Sequence, residues 1–102
     1  MTLGQKRRQF TIMLARLIIY AESIHFGVAI DYAKRCPNCL IGMQNSCHKV
    51  GLAADIHLYR NHRYLSSGKH HRLLHDYWDA MGGAERITSD MNHYSLEHHG
   101  VR

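Results

Sequence analysis

Leu52-Ala53-Ala54-Asp55-Ile56-His57-Leu58-Tyr59 decides how this chain is read. Ala54, Ile56 and Leu58 alternate with Ala53, Asp55, His57 and Tyr59, the period of a strand with one apolar face. Asp55 and His57 therefore point the same way, away from the apolar residues. Just upstream, Ser46-Cys47-His48-Lys49-Val50-Gly51 supplies a histidine in a loop and a turn containing glycine. A loop histidine and a strand carboxylate so joined can converge on one cation, with small alanines leaving space beside it. A third ligand must come from elsewhere. His93 is the candidate, because Asp90, three residues before it, can hold a carboxylate beside a metal-bound water. His57 is the rival ligand, as it shares the face of Asp55.

Outward from this strand, the chain divides into a few elements. Phe10, Met13, Leu14, Leu17, Ile18, Ala21 and Ile24 fall on one arc at helical spacing, so residues 4–25 are expected to form an amphipathic helix ended by Gly27. Ile12 and Ile19 lie on the flank of its polar side, which predicts a second element covering part of that face. Val28 to Ala33 is a short β-prone run, and Cys36 to Ser46 is turn material. Asn61 to Lys69 reads as a polar loop. Leu73, Leu74, Tyr77, Trp78 and Met81 form the apolar stripe of a second helix that stops at Gly82-Gly83. His93-Tyr94-Ser95-Leu96-Glu97 alternates like a closing strand. The expected fold is a small α+β domain over residues 1–102, a short antiparallel sheet with two main helices packed around it and a zinc site at the sheet.

Composition bounds the function. With 102 residues the chain holds one core, and 45% hydrophobic against 21% charged residues excludes wholesale disorder and collagen-like or coiled-coil repeats. Thirteen Lys and Arg against eight Asp and Glu give a formal charge of +5, favouring polyanionic partners such as nucleic acid, anionic lipid or a bacterial wall. Ten histidines point towards metal. Three cysteines cannot all pair within one molecule, which suits synthesis in a reducing compartment. Lys6, Arg7 and Arg8 before the apolar run Phe10 to Ala21 have the order of a signal peptide, but Arg16 interrupts the run and its length is far below the roughly 20 residues that span a bilayer. A buried helix is the expectation there, with no membrane insertion.

Ser46-x-His48-x-x-Gly51-x-Ala53-x-Asp55, followed late in the chain by Asp90-x-x-His93, resembles the zinc peptidase family of D-Ala-D-Ala carboxypeptidases, vancomycin-resistance dipeptidases and phage L-alanyl-D-glutamate endopeptidases. Asn45-Ser46-Cys47-His48-Lys49, Gly51-Leu52-Ala53-Ala54-Asp55 and Asn92-His93-Tyr94-Ser95-Leu96-Glu97-His98 are most similar to the small phage endolysins of that family. The resemblance implies that His48, Asp55 and His93 bind Zn2+, with Ser46 in support, and that Asp90 is general base and then general acid. It implies an arginine at the substrate oxyanion or carboxylate, for which Arg35 is the match and Arg60 or Arg63 are substitutes. Three ligands leave one open zinc position, where bound water has a pKa of roughly 7. The implied activity is hydrolysis of the peptidoglycan stem peptide in host cell lysis, by a monomer made in the host cytoplasm and reaching the wall after a separate protein opens the membrane.

Two other readings remain open. A D-Ala-D-Ala carboxypeptidase or dipeptidase uses the same zinc set on a terminal carboxylate. A basic module binding nucleic acid through a Cys36, Cys39, Cys47 and His48 zinc knuckle is the other, although it leaves Asp55, Asp90 and His93 without a role. His70, His71 and Arg72 form a basic helix start that reads as a solvated face, and no nucleic-acid motif accompanies it.

Overall fold

The computed structural model describes residues 1–31 and 50–102. His48, Arg35, Ser46 and all three cysteines lie outside the described residues, as do Tyr32 and Ala33 of the first expected strand.

Helix α1 spans Leu3–Ser23. Thr2 begins it with a reciprocal cap: its hydroxyl accepts from the Gln5 amide at 3.1 Å, and the Gln5 side chain accepts from the Thr2 amide at 2.8 Å. The helix stops four residues before Gly27. His25 takes the left-handed conformation at φ 71°, and Phe26 donates back to the Ala21 carbonyl at 2.9 Å while His25 donates to Glu22 at 3.1 Å. This is a Schellman ending with histidine where glycine is usual, so Gly27 is left to open strand β1, Gly27–Ile30.

Strand β2, Ala53–Arg60, is the spine of the sheet. It pairs antiparallel with β1, in register Gly27↔Tyr59 through Ile30↔Ile56. Along its other edge lie two short strands end to end: β3, Arg63–Leu65, against Leu58 to Arg60, and β4, His93–Ser95, against Ala53 to Asp55. The β2–β3 hairpin was not legible as a turn. Its two loop residues, Asn61 and His62, both have positive φ (51° and 63°), the requirement of the tight hairpin turn that matches sheet twist. After it, a 3-10 turn at Gly68–His71 leads into helix α2, Arg72–Ala80.

The fold is thus α+β, in the described residues two helices against an antiparallel four-stranded sheet. The alternation of β2 is realised, with Ile56 and Leu58 fully buried on the helix side. Phe10, Met13, Leu17 and Ala21 of α1 meet Leu74 and Trp78 of α2 in the same core. Phe10 and Tyr94 each stand edge-on to Trp78, with centroids 5.8 and 5.7 Å away, and the Trp78 indole donates to the Ser95 carbonyl at 2.9 Å. Trp78 therefore ties α1, α2 and β4 together. Gly83 is part of that arrangement, because a Cβ there would fall inside the Trp78 indole.

Two surface expectations are corrected. Ile12 and Ile19 are 53% and 70% exposed, so no second element among the described residues covers that flank of α1. On α2, Leu73 is 56% exposed and His75 takes its place in the core, because Leu74, His75 and Trp78 form the face turned to the sheet. No described helix is long and apolar enough to cross a membrane.

Candidate metal centre

Asp55 and His93 are direct cross-strand partners in the β2–β4 ladder. Register pairing puts both side chains on one face, and His93 Nδ1 lies 3.2 Å from Asp55 Oδ1. Both are enclosed, with side chains 8% and 14% exposed. Asp90 reaches the same place by a different route. The His93 amide donates to the Asp90 carbonyl at 3.1 Å, so residues 90–93 form a turn that folds Asp90 back onto the start of β4. The donor atoms of Asp55, Asp90 and His93 lie within 4.8 Å of one another, with Asp90 exposed to solvent.

This donor set can hold a metal ion. Two carboxylates and an imidazole are ligands for zinc and for other divalent ions of similar preference. Ligand bonds of about 2.0–2.1 Å in a tetrahedron place neighbouring donors about 3.3 Å apart. At 3.2 Å, His93 Nδ1 and Asp55 Oδ1 are within hydrogen-bond reach of each other and close enough to serve one ion. Searches against protein-family models, curated proteins and solved structures found no match to this chain.

Three of the residues singled out in the sequence, Asp55, Asp90 and His93, are brought together, although 35 residues separate the first two. His57 is not among them. It faces Asp31 across the sheet, Nε2 to Oδ2 3.5 Å, and stands edge-on to Tyr64. Nor do Arg60 and Arg63 approach the centre. They flank the hairpin turn at the far end of β2, five strand residues or about 16 Å from Asp55. Arg60 stacks over the Phe26 ring, 4.4 Å from its centroid.

Beside Asp90 is a pocket of about 300 Å³, set in the gap between β3 and β4 along the edge of β2. His57, Tyr64, Ser66, His71 and Ser89 line it together with Asp90. Two bonds hold its wall at Met91 and Asn92: Ile56 donates to the Asn92 carbonyl at 3.0 Å, and His75 Nε2 donates to the Met91 carbonyl at 2.7 Å.

The histidines of α2 are the feature the sequence concealed. His71 is 4% exposed, not part of a solvated basic face, and His75 is 1% exposed. His71 Nδ1 is 2.7 Å from the Tyr94 hydroxyl, and the His75 ring stacks on Tyr94 with centroids 4.2 Å apart. Burial lowers the pKa of His71 to about 4, helped by the neighbouring His75, His70 and His57. Burial likewise lowers His75, against the raising effect of its bond to Met91, and raises Tyr94. All three are neutral at pH 7. The signal for them was the spacing 71, 75, 78, one helical face, which places both histidines in line with Trp78.

Proposed function

We propose that this chain is a zinc peptidase that hydrolyses an amide bond of the peptidoglycan stem peptide, the bond between L-alanine and D-glutamate, for lysis of a bacterial host by a phage. The observation that carries the proposal is the Asp55–His93 pair, enclosed at 3.2 Å and joined by a solvent-facing Asp90. In this reading Asp55 and His93 hold the ion together with His48, and Asp90 stays in contact with water. Asp90 would face the same ion, since its carboxylate lies within 4.8 Å of the other two donors and is open to solvent. Zinc bound there supplies Lewis acidity, acidifying water and polarising a carbonyl.

The chain's own residues account for the proton path. Asp90 takes the proton of the attacking water and returns it to the departing amine, a role that needs a carboxylate open to the substrate side. Its place at the rim of the pocket provides that opening. Asp55 and His93 are fixed by the strand ladder rather than by loop geometry, which keeps the ligands rigid while the substrate enters. The formal charge of +5 favours the anionic wall, and a separate membrane-opening protein gives access to it from the cytoplasm.

Mass spectrometry of purified peptidoglycan digested by the zinc-loaded protein, with a chelated control, tests the proposal. New N-terminal D-glutamate, absent after chelation, is the expected result. Loss of terminal D-alanine alone would move the chain to the carboxypeptidase branch. No cleavage by a folded, zinc-loaded sample would remove the peptidase reading.

A further inference from the structure

The Tyr94 hydroxyl is sealed in the core, and its one partner among the described residues is His71 Nδ1 at 2.7 Å. A buried hydroxyl proton left without an acceptor is costly, and the Tyr94 proton has only that ring nitrogen to receive it. Tyr94 therefore donates, and Nδ1 accepts with its lone pair. The proton of the neutral imidazole then sits on Nε2. His75 stacks on the other ring of this pair and is itself held by Met91, so the arrangement is braced on both sides. His71 lines the pocket beside Asp90, and with Nδ1 taken by Tyr94 the ring nitrogen it can offer there is Nε2.

We propose that His71 Nε2–H is a fixed, uncharged hydrogen-bond donor that binds a carbonyl or carboxylate oxygen of the substrate in the pocket next to Asp90. The choice of ligand rests on the peptidase reading above. The remaining lining suits an oxygen-rich acyl group, because Ser66, Thr88 and Ser89 bring hydroxyls to the same space. A neutral donor has an advantage here. It binds oxygen without placing a second positive charge near the candidate metal centre, and burial, which lowers its pKa to about 4, keeps it neutral at pH 7. Tyr94 acts through His71 as a positioning residue. Because Tyr94 follows His93 in β4, the strand that presents a ligand on one face sets the donor's tautomer from the other.

Nitrogen NMR of the histidine rings in the zinc-loaded protein, titrated with N-acetyl-D-glutamate and with its diamide, tests this. The expected His71 signature is protonated Nε2 and bare Nδ1, with the Nε2 resonance moving on addition of the probe. Equal shifts with both probes identify a carbonyl as the partner, and a shift with the acid alone identifies a carboxylate. Tyr94→Phe is expected to release the tautomer lock and weaken probe binding about threefold, and His71→Phe to weaken it about tenfold while His71→Gln, which keeps an N–H, recovers part of the loss. A proton on Nδ1, or an Nε2 resonance unmoved by either probe, overturns the proposal. A wild-type protein that shows the shift but cuts no peptidoglycan overturns the peptidase reading and leaves the donor in place.

Discussion

Helices α1 and α2 both bury one face against the sheet, yet what they bury differs. The core stripe of α1 is Phe10, Met13, Leu17 and Ala21, and nothing in it can form a directional bond with its side chain. The buried face of α2 is Leu74, His75 and Trp78, preceded by His71, and three of these four have ring nitrogens. Each of those three rings makes a hydrogen bond: to Tyr94, Met91 and Ser95. An apolar stripe fixes a helix by shape and area, and tolerates sliding into other good packings. A hydrogen-bonded face fixes position and ring orientation, at the risk of unsatisfied polar groups if any partner is lost. Helix α1 is scaffolding, and the turn that leads into α2 lends His71 to the pocket.

This division can be broken at several points. The largest effect is expected at the centre itself: Asp90→Ala should lower peptidoglycan hydrolysis by about 10²–10⁴-fold in a protein that still folds and binds zinc, read by turbidity loss and by metal analysis. Unchanged hydrolysis would remove Asp90 from the chemistry. On the scaffold side, Leu17→Ala at a fully buried position should cost about 2–5 kcal/mol in urea unfolding, with the zinc affinity of the remaining folded protein unchanged. A parallel loss of affinity would show that α1 is coupled to the centre after all.

The histidine face of α2 should reveal itself in pH. His71 has a folded pKa of about 4 against an ordinary 6.5, so between those values the unfolded chain binds more protons than the folded one. Its contribution to stability is complete above about pH 6.5, falls as the pH drops through that window, and is gone below about 4. The loss is expected to be on the order of 1–3 kcal/mol, measured by urea titration of chelated protein, and to shrink in His71→Gln. An equally steep loss in that variant would assign the slope to other groups. The smallest effect is expected on the outer flank of α1, where Ile19→Gln at a 70% exposed site should change stability by no more than about 0.5 kcal/mol. A larger loss by the same titration would mean that a partner covers that flank.

How far the residues were readable follows from the kind of signal each one left. The alternation of Leu52 to Tyr59 gave β2 and placed Ile56 and Leu58 inward, and the stripe of α1 gave its buried face, because burial of apolar area has a period that survives in one dimension. Asp90-x-x-His93 was visible as a motif, and the turn between them is local. That the left-handed turn ending α1 falls on His25 was hidden, since a glycine two residues later offered the more usual stop. The hairpin at Asn61-His62 was hidden for the same reason, as it is made by residues that adopt positive φ without being glycine.

By itself, then, the sequence determined the class of the fold, the central strand and three residues of the candidate centre. The tertiary structure alone decided that Asp55 and His93 stand opposite each other, because ladder register is a relation between segments 38 residues apart and neither segment records it. It alone moved His71 from the expected basic surface, and set His75 beside it, into a buried aromatic cluster. Polarity predicts exposure for an isolated histidine, whereas a neutral imidazole with a hydrogen-bonding partner is stable in a core, and whether that partner exists is known only once the chain has folded.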